Sequence, residues 1–383
     1  MLCIAGAGFI VLAAIGWLGP SLPAALASPW MAQAWGGLAA ASLLLLLVRA
    51  WRSATVFSLC FVALSLWVLP VLLPREAPVP MRTLRIAFAN VNAWNAPSAS
   101  SMAWFSASDA DIVAIVECSA EWADALSSVA GPGGARWPHA FIRADGHAMS
   151  GVAVLSRHAL RDAKAFVSPE GRFPMVDVTV DAPDGPLRMM VAHPVPPVSA
   201  DAATMRDSEI RWLAQRCSDS GMPTAIVADF NDTPFGRALA AFGARSGMRS
   251  AASATGLVTT WPARVGGIPW PAPLRIAIDH CFVSPDIGIA GLAAGPNIGS
   301  DHLPLLIDIA HGVAKPPHAD SPSLGGNTAG AEAGAPCRVL ELTPHRRMGQ
   351  AEAPFGKGPA MALGAAAPPR ARSTPQASGT RVW

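Results

Sequence analysis

The chain has 383 residues, which is enough for one or two globular units. Its net charge of +2 neither favours nor excludes a polyanionic partner, and its 14% of charged residues lies below the ~25% of an average soluble domain. The six cysteines contain no Cys-x-x-Cys pair, and no His is spaced for a zinc site. The sequence therefore argues against a disulfide framework, and it predicts Cys118, Cys217 and Cys281 to be small buried hydrophobes.

The front of the chain predicts a membrane anchor. Residues 1–48 contain no charged side chain, and three segments approach the roughly 20 apolar residues that a transmembrane helix needs: 2–18, 32–48 and 54–73. A cleaved signal peptide followed by buried core helices is disfavoured, because no basic segment precedes the first span and because three such runs exceed the pattern of a soluble core. We expect three transmembrane helices within residues 1–80, with the lipid bilayer as their partner.

Arginines near the spans predict the orientation. Arg49 and Arg52 lie in the short loop between the second and third spans, which favours a cytoplasmic loop. Arg75, Arg82 and Arg85 follow the third span and argue the other way, but the last two belong to the start of the folded domain and carry less weight. We expect an integral protein of a bacterial inner or cell membrane whose catalytic domain lies on the periplasmic or extracellular face.

Residues 81–312 alternate short apolar strands with turns and a few helices, as in a mixed α/β (α+β) domain. The segment 181–185, Asp-Ala-Pro-Asp-Gly, predicts a hairpin turn. Hairpins mixed with a few helices indicate two sheets packed face to face with helices outside, a four-layer α/β/β/α sandwich. Helices are predicted over 101–108, 199–217 and 233–242, and strands over 84–89, 111–116, 151–156, 174–180, 187–192, 224–228, 275–279, 281–284 and 304–309.

Polar groups follow several of these strands directly. Strands that all end in reactive groups indicate one polar mouth at one end of a layered sheet, where loops on a rigid scaffold usually hold an active site. Each residue alone would be an ordinary turn residue or a surface acid at the end of a strand. The groups, in chain order, are Asn90, Glu117, His193, Asp229-Phe230-Asn231, Asp279-His280 and Ser300-Asp301-His302.

This order, together with the segment 150–157 (Ser-Gly-Val-Ala-Val-Leu-Ser-Arg), resembles the endonuclease/exonuclease/phosphatase superfamily over residues 84–310. That superfamily includes deoxyribonuclease-I-like nucleases, abasic-site endonucleases, inositol polyphosphate 5-phosphatases and sphingomyelinases. Ala228 stands where the family usually has Gly, and Ala89 where a Trp or Tyr often precedes the Asn. His193 stands where some members use Tyr. None of these differences removes a reactive group.

The resemblance implies a role for each polar residue. Catalytic residues would be Asp229, which positions or deprotonates the attacking water, with Asn231, His193, His302 and Asp279. Asn90, Asn231 and His193 would contact the substrate phosphate. Glu117, Asp301 and Asn90 would hold a divalent cation, most plausibly Mg²⁺, with Mn²⁺ also acceptable.

The sequence leaves open the carboxylate partner of His193 and the role of His280. A carboxylate partner for His193 is expected in the nuclease branch, and Asp145 and Glu170 are the candidates. His280 is expected to fill space beside the site rather than act in it.

The substrate is predicted less directly. A nuclease is expected to carry Lys and Arg along a groove, whereas Lys164 is the only Lys of the predicted domain. A membrane anchor favours a lipid-linked phosphate, and the arrangement resembles the membrane branch related to teicoplanin-resistance proteins, which implies a prenyl pyrophosphate carrier. A membrane-tethered nuclease acting on DNA or RNA is the alternative.

A third reading is a catalytically inactive membrane-bound binding module, which is disfavoured because every reactive group is present. No protein partner is inferable.

Trp94, Trp261 and Trp270 fall in loops near the strand ends, where they would rest in the lipid interface, line an apolar groove or cap the core. Residues 313–383, rich in Ala, Pro and Gly, predict a disordered tail.

Overall fold

The computed structural model describes residues 22–131, 136–144, 148–312 and 379–382. In this part of the chain two helical segments, 22–47 and 51–72, are long and apolar enough to cross a membrane, not three. The first predicted span, residues 2–18, lies outside the described residues. The front helices are Leu22–Ala27 (α1), a 3-10 turn at Ser28–Trp30, Met31–Leu47 (α2) and Trp51–Leu72 (α3).

The remaining elements form the predicted mixed α/β domain. Its helices are Ala99–Ala107 (α4), Ala120–Ser127 (α5), Ala200–Ser218 (α6), Arg237–Ala240 (α7), Phe242–Ser246 (α8) and Ala252–Thr255 (α9), with 3-10 turns at Ala148–Ser150 and Ala272–Leu274. Its strands are Leu84–Asn90 (β1), Ile112–Val116 (β2), His139–Ala144 (β3), Val152–Ser156 (β4), Leu160–Phe166 (β5), Met175–Ala182 (β6), Gly185–Ala192 (β7), Thr224–Asp229 (β8), Arg249–Ser250 (β9), Arg264–Val265 (β10), Ile268–Pro269 (β11), Asp279–Val283 (β12), Gly288–Ala294 (β13), Leu305–Ala310 (β14) and Gly379–Val382 (β15).

Two sheets make up the domain. One has the order β13-β14-β1-β2-β4-β3-β15 and the other the order β5-β6-β7-β8-β12-β9, while β10 and β11 form a separate ribbon. Within these sheets β1 and β2 are parallel, as are β7 and β8. The predicted hairpin turn is confirmed, because β6 and β7 pair antiparallel across it. Strand β15 is the one described part of the predicted tail; residues 313–378 and 383 lie outside the described residues.

Alternation along the strands builds four layers. In β1, Ile86 and Phe88 face a core that lies between the two sheets, whereas Ala87 and Ala89 face the helices α4 and α5. The outer face of the second sheet packs in the same way on α6, α7 and α8. The architecture is therefore the predicted α/β/β/α sandwich.

Local sequence signals explain some elements and miss others. The predicted helix at 199–217 is confirmed, because Ser199 caps α6 by accepting the Ala202 N–H at 3.1 Å. The predicted helix at 233–242 is wrong: the chain breaks into the short helices α7 and α8, since Asp232 accepts the N–H groups of Thr233 and Leu239 and holds a turn there. Strands β3, β5 and β13 were not predicted, and residues 275–278 are not a strand.

The helices α2 and α3 form an antiparallel pair, called here the helical hairpin, that packs on the domain. Trp35 of α2 stacks on Phe61 of α3 with ring centroids 5.2 Å apart. Gln33 Nε2 donates to the Arg275 carbonyl at 2.8 Å, and Trp67 meets Phe235 edge-on at 6.1 Å. The hairpin is therefore attached to the domain by specific contacts.

The segment after α3 continues along the domain. Glu76 pairs with Arg249, and the Val79 N–H donates to the Ile289 carbonyl at 2.8 Å. A cavity of about 590 Å³ lies between this segment and α7 and α8.

Candidate active site

The topology brings the polar strand-end residues to one end of the sandwich, called here the polar end. Strands β1, β2, β7 and β8 finish there, next to Asn90, Glu117, His193 and Asp229. Strand β12 is antiparallel to β8 and begins there, so that Asp279 lies opposite Asp229 in the register. Strand β14 is antiparallel to β1, which brings residues 300–302 to the same end.

Glu117 and Asn90 form the centre of one side of the site. The Asn90 amide donates to Glu117 Oε1 at 2.8 Å and to Asp229 Oδ2 at 3.0 Å. The second Glu117 oxygen accepts the Ala93 N–H at 3.0 Å. Asn90, Glu117 and Asp229 are all buried. The carboxylates of Glu117 and Asp229 are thus joined through the amide group of Asn90.

His193 lies across from this pair. Its Nε2 is 3.7 Å from both Glu117 Oε1 and Asp229 Oδ2, and its ring stacks on Phe173 with centroids 5.2 Å apart. Both ring nitrogens are buried and have no hydrogen-bond partner among the described residues. Glu170 is exposed, and Asp145 lies outside the described residues. In the described ranges, the carboxylates within 4 Å of His193 Nε2 are those of Glu117 and Asp229.

His302 completes a buried relay with two acids. Its Nδ1 is 2.9 Å from Asp279 Oδ2, and its Nε2 is 3.6 Å from Asp229 Oδ2. Thr260 donates its hydroxyl to the same Asp279 oxygen. Burial lowers the pKa of His302, but the adjacent carboxylates of Asp279 and Asp229 outweigh it and raise the pKa to about 10. The imidazole is therefore held in its charged form.

Burial changes the pKa of Asp229 in the direction opposite to its effect on His302. Its complete burial, reinforced by the nearby Asp279 carboxylate, raises the pKa of Asp229 to about 6. The charged His302, a further influence, lowers it. A carboxylate with this pKa is a stronger proton acceptor than an exposed one.

The loop that follows Asp229 is strained and braced. Asn231 has a φ of 49°, a left-handed value that is uncommon outside glycine. Its N–H donates to Asp229 Oδ1 at 2.9 Å and its amide to the Pro194 carbonyl at 3.0 Å, which leaves the second amide hydrogen for another acceptor. Arg206, buried on α6, donates to the Asn231 carbonyl at 2.8 Å and pairs with Asp207 at 2.7 Å. The strain is held by these contacts.

Asp301 occupies a different position from the other acids. One carboxylate oxygen accepts the Asn92 amide at 2.7 Å, and the other accepts the Trp261 indole N–H at 3.0 Å. Ser300 anchors this loop by donating to the Asn90 carbonyl at 2.8 Å. The proposed metal role of Asp301 thus stays a prediction.

His280 differs from its active-site neighbours. It is buried against Phe230 and Phe282, with Nε2 3.0 Å from the Ala277 carbonyl. Burial lowers the pKa of its imidazole to about 4, so the ring is neutral. The packing agrees with the expectation that His280 fills space.

Sequence reasoning missed several supporting residues. Asn92 lies two positions after Asn90, and Ser300 opens a motif already noted, so local position could have indicated both. Thr260 and Arg206 carry no local signal, because each reaches the site only through the fold. Trp261 was noted as a loop residue, without its bond to Asp301.

The donor set suits a hard divalent cation. Ligand atoms of Glu117, His193 and Asp229 lie within 4.8 Å of one another. Two buried carboxylates this close repel each other unless a positive charge lies between them, and the unpartnered His193 nitrogens leave room for a polar group.

Comparison with known proteins agrees with this arrangement. The model of the "Endonuclease/Exonuclease/phosphatase family" matches residues 87–302, more than half of the chain. The chain belongs to this family. Members of the family are metal-dependent hydrolases of phosphoester bonds, and the chain is therefore a hydrolase of this class. A search of curated proteins found no match.

Several solved structures are similar to this chain, and three of them follow. An endonuclease/exonuclease/phosphatase from Beutenbergia cavernae is 20% identical, with 61% of this chain and 73% of that one covered and a TM-score of 0.49. D. rerio TDP2 complexed with single-strand DNA product is 14% identical, with 59% and 98% covered and a TM-score of 0.47. The human Nocturnin catalytic domain with bound sulfate is 16% identical, with 61% and 99% covered and a TM-score of 0.45.

Proposed function

We propose that the protein is a membrane-anchored phosphohydrolase that requires a divalent cation and cleaves a phosphoester or pyrophosphate of a lipid-linked carrier. The observation that carries this proposal is the convergence of Asp229, His193 and His302. Asp229 Oδ2 lies 3.7 Å from His193 Nε2 and 3.6 Å from His302 Nε2. Asp229 can accept a proton from water, and the imidazoles of His193 and His302 on either side of it can contact a phosphate group. This arrangement suits attack by water on a phosphate.

We propose Glu117, Asp301 and Asn90 as the ligands of the cation, with Mg²⁺ as the preferred ion and Mn²⁺ as an alternative. Of these three, Glu117 also belongs to the buried cluster with His193 and Asp229. The ion, when bound, would neutralise the phosphate and stabilise the charge that develops during cleavage. Glu117 supports this assignment because it is buried beside a second carboxylate. Asn90 would orient Glu117 through its amide, and Asp301 would act from the neighbouring loop.

The protein's own residues account for the remaining steps. Asp229 orients a water molecule and accepts its proton as the water oxygen bonds to phosphorus. The bond from phosphorus to the leaving oxygen breaks, and that oxygen takes a proton from solvent. Asn231, His193 and Asn90 hold the phosphate, while His302, kept charged and oriented by Asp279, stabilises the negative charge.

The anchor supports a lipid-linked substrate. The segments 22–47 and 51–72 have the length and hydropathy of membrane spans, and an enzyme confined to a membrane surface meets phosphates of lipids at high local concentration. We propose that the domain faces the periplasmic or extracellular side, because Arg49 and Arg52 mark the loop between the two helices as cytoplasmic.

Phosphate release by the purified full chain tests the proposal. We expect release from a polyprenyl pyrophosphate with Mg²⁺, none with EDTA, and a loss of about 10³-fold in Asp229→Asn, since the proton acceptor is gone. Asp286→Asn, at an exposed acid away from the polar end, is the matched control. Nicking of a plasmid without phosphate release would replace this proposal with a membrane-tethered nuclease.

A further inference from the structure

We infer that the loops of the polar end form a membrane-docking surface, so that the active site opens directly onto the headgroup layer. The inference rests on the proposed function and makes its substrate class specific: a phosphate group carried by a lipid that stays in the bilayer during cleavage. Three observations carry it, namely the direction of the helical hairpin, its length, and the distribution of exposed apolar side chains.

The hairpin projects from the polar end. Gln33 and Trp67 contact Arg275 and Phe235, which lie in the loops of that end. From Trp67 the chain runs toward the opposite end of the sandwich, where Val79 bonds Ile289 beside the last residues of β14. The other half of the hairpin, residues 36–62, therefore extends beyond the polar end of the sandwich, the end that holds the active site.

The length of this projection brings the polar end to the membrane surface. From Gln33 to the end of α2 at Leu47 there are 14 helical steps, or about 21 Å at 1.5 Å per residue. A bilayer has a hydrocarbon core of about 30 Å. The projection is about 9 Å shorter than this core, so the side chains of Arg49 and Arg52 at the tip can extend toward the opposite headgroups only if the loops around Gln33 lie at the near headgroup layer.

The exposed apolar side chains lie where this arrangement requires them. Beyond residue 80, the large apolar side chains exposed in the described ranges are Met81 at the opposite end and six at the polar end: Trp94, Val167, Val198, Val265, Ile268 and Leu274. Trp94, Val198 and Ile268 are 76%, 83% and 72% exposed. Apolar residues that surround a polar site fit an interface with lipid, since insertion beside the hairpin would bury them.

The surface is continuous with the hairpin. Leu274 lies between Pro273 and Arg275, whose carbonyls both accept the Gln33 amide. The ribbon that carries Val265 and Ile268 is joined to the site through Ala263, whose N–H donates to the Asp301 carbonyl at 2.6 Å. Docking would therefore present a lipid phosphate to the site without lifting the lipid out of the bilayer.

Depth-dependent quenching in nanodiscs tests the docking itself. Cys118, Cys217 and Cys281 are buried, so a full chain with Cys3, Cys60 and Cys337 replaced by Ala accepts one fluorescent label at Ile268→Cys or, as control, at Met81→Cys. We expect lipids that carry a quencher just below the headgroup to quench the label at position 268 and not the label at position 81. Equal quenching at the two positions would overturn the inference whatever the enzyme does.

A ratio of activities tests the consequence for the substrate. The ratio compares the turnover of a membrane-borne prenyl pyrophosphate with that of a short water-soluble one. In Ile268→Glu this ratio should fall about tenfold, which corresponds to the lower end of the free energy gained by burying one large aliphatic side chain. Met81→Glu should leave the ratio unchanged, and equal ratios in the two variants would overturn the inference. Quenching confined to position 268 with no hydrolysis of either substrate would support docking and overturn the proposed hydrolase function instead.

Discussion

At the scale of single residues, the site is defined by which charges are buried together. Asp229, Asp279 and Glu117 would repel one another in a dry pocket, and the charged His302 lies between two of them with Nδ1 2.9 Å from Asp279 and Nε2 3.6 Å from Asp229. Thr260 and Asn90 satisfy further lone pairs of these acids. The arrangement orients one imidazole and leaves His193 free to bind a ligand.

We expect His302 and Asp279 to act as one unit. His302→Ala should reduce turnover by about 10²–10³-fold, and adding Asp279→Asn to it should cost little more, because Asp279 acts through the imidazole. A double-mutant cycle on turnover, with the fold checked by circular dichroism, measures this. Multiplicative losses in the double variant would show that the two residues act separately.

His280 gives the protein an acid-sensitive core. Its folded-state pKa of about 4 lies below the ordinary value of 6.5, so the unfolded chain binds a proton more tightly between these values. Stability from the neutral ring is thus fully present above pH 6.5 and falls as the pH drops toward 4, by about 3 kcal/mol for this shift. His280→Gln should remove that part of the pH dependence.

The measurement is urea unfolding of the detergent-solubilised chain between pH 7 and pH 4. His158→Gln, at a half-buried turn residue between β4 and β5, serves as the control and should keep the wild-type slope. Parallel curves for wild type and His280→Gln would contradict the assignment.

At the scale of elements, strand ends fix where each functional group lies. Glu117 has a φ of 55°, which turns the chain sharply out of β2. Its neighbour Cys118 lies against Gly151 at the start of β4, where an added Cβ would come within 1.7 Å of the Cys118 carbonyl oxygen. The glycine of the Ser-Gly-Val-Ala-Val segment is therefore required by close backbone packing beside Glu117.

Gly151→Ala should lower both stability and activity. The new methyl group must displace the backbone at Cys118, which we expect to cost about 2–4 kcal/mol and to shift Glu117 from Asn90. Gly221→Ala, where an added Cβ meets nothing within 4 Å, is the control. Thermal unfolding and metal titration of both variants check this, and a Gly151→Ala chain with wild-type metal affinity would show that the packing does not position Glu117.

Element prediction succeeded where one face or one cap dominates. Ser199 marks the start of α6 because its side chain caps the helix. Strands β2 and β4 are buried on both faces, so each is a continuous apolar run that is easily recognised in the sequence. It failed at β5, whose residues are half exposed at a sheet edge, and at 233–242, where the buried Asp232 stops a helix that the apolar spacing favours. The first failure reflects the weak apolar pattern of an exposed edge strand, and the second reflects the hydrogen bonds that Asp232 accepts from the backbone of Thr233 and Leu239.

At the scale of the whole molecule, a small apolar contact helps to hold the helical hairpin on the domain. Phe235 is buried among hairpin residues and lies four positions after Asn231. The contact therefore links the helical hairpin to the loop that follows Asp229.

Phe235→Ala should loosen the hairpin. Removing a buried aromatic ring is expected to cost about 3 kcal/mol. Protease cleavage between residues 73 and 83 should then become faster in detergent. Leu66→Ala, one residue from Trp67 but 79% exposed, should leave the cleavage rate unchanged, and equal rates for the two variants would contradict the role of the contact.

The sandwich, the family and the set of polar strand-end residues could all be predicted from the sequence, because each depends on short patterns: apolar runs that end in Asn90, Glu117, His193 and Asp229. Which of these groups meet depends on the three-dimensional fold. The contacts of Asp301 with Asn92 and Trp261, and that of Arg206 with Asn231, join residues distant in the chain, whose geometry follows from strand register. The direction of the hairpin past the active site was likewise set by packing, which hydropathy along the chain does not encode.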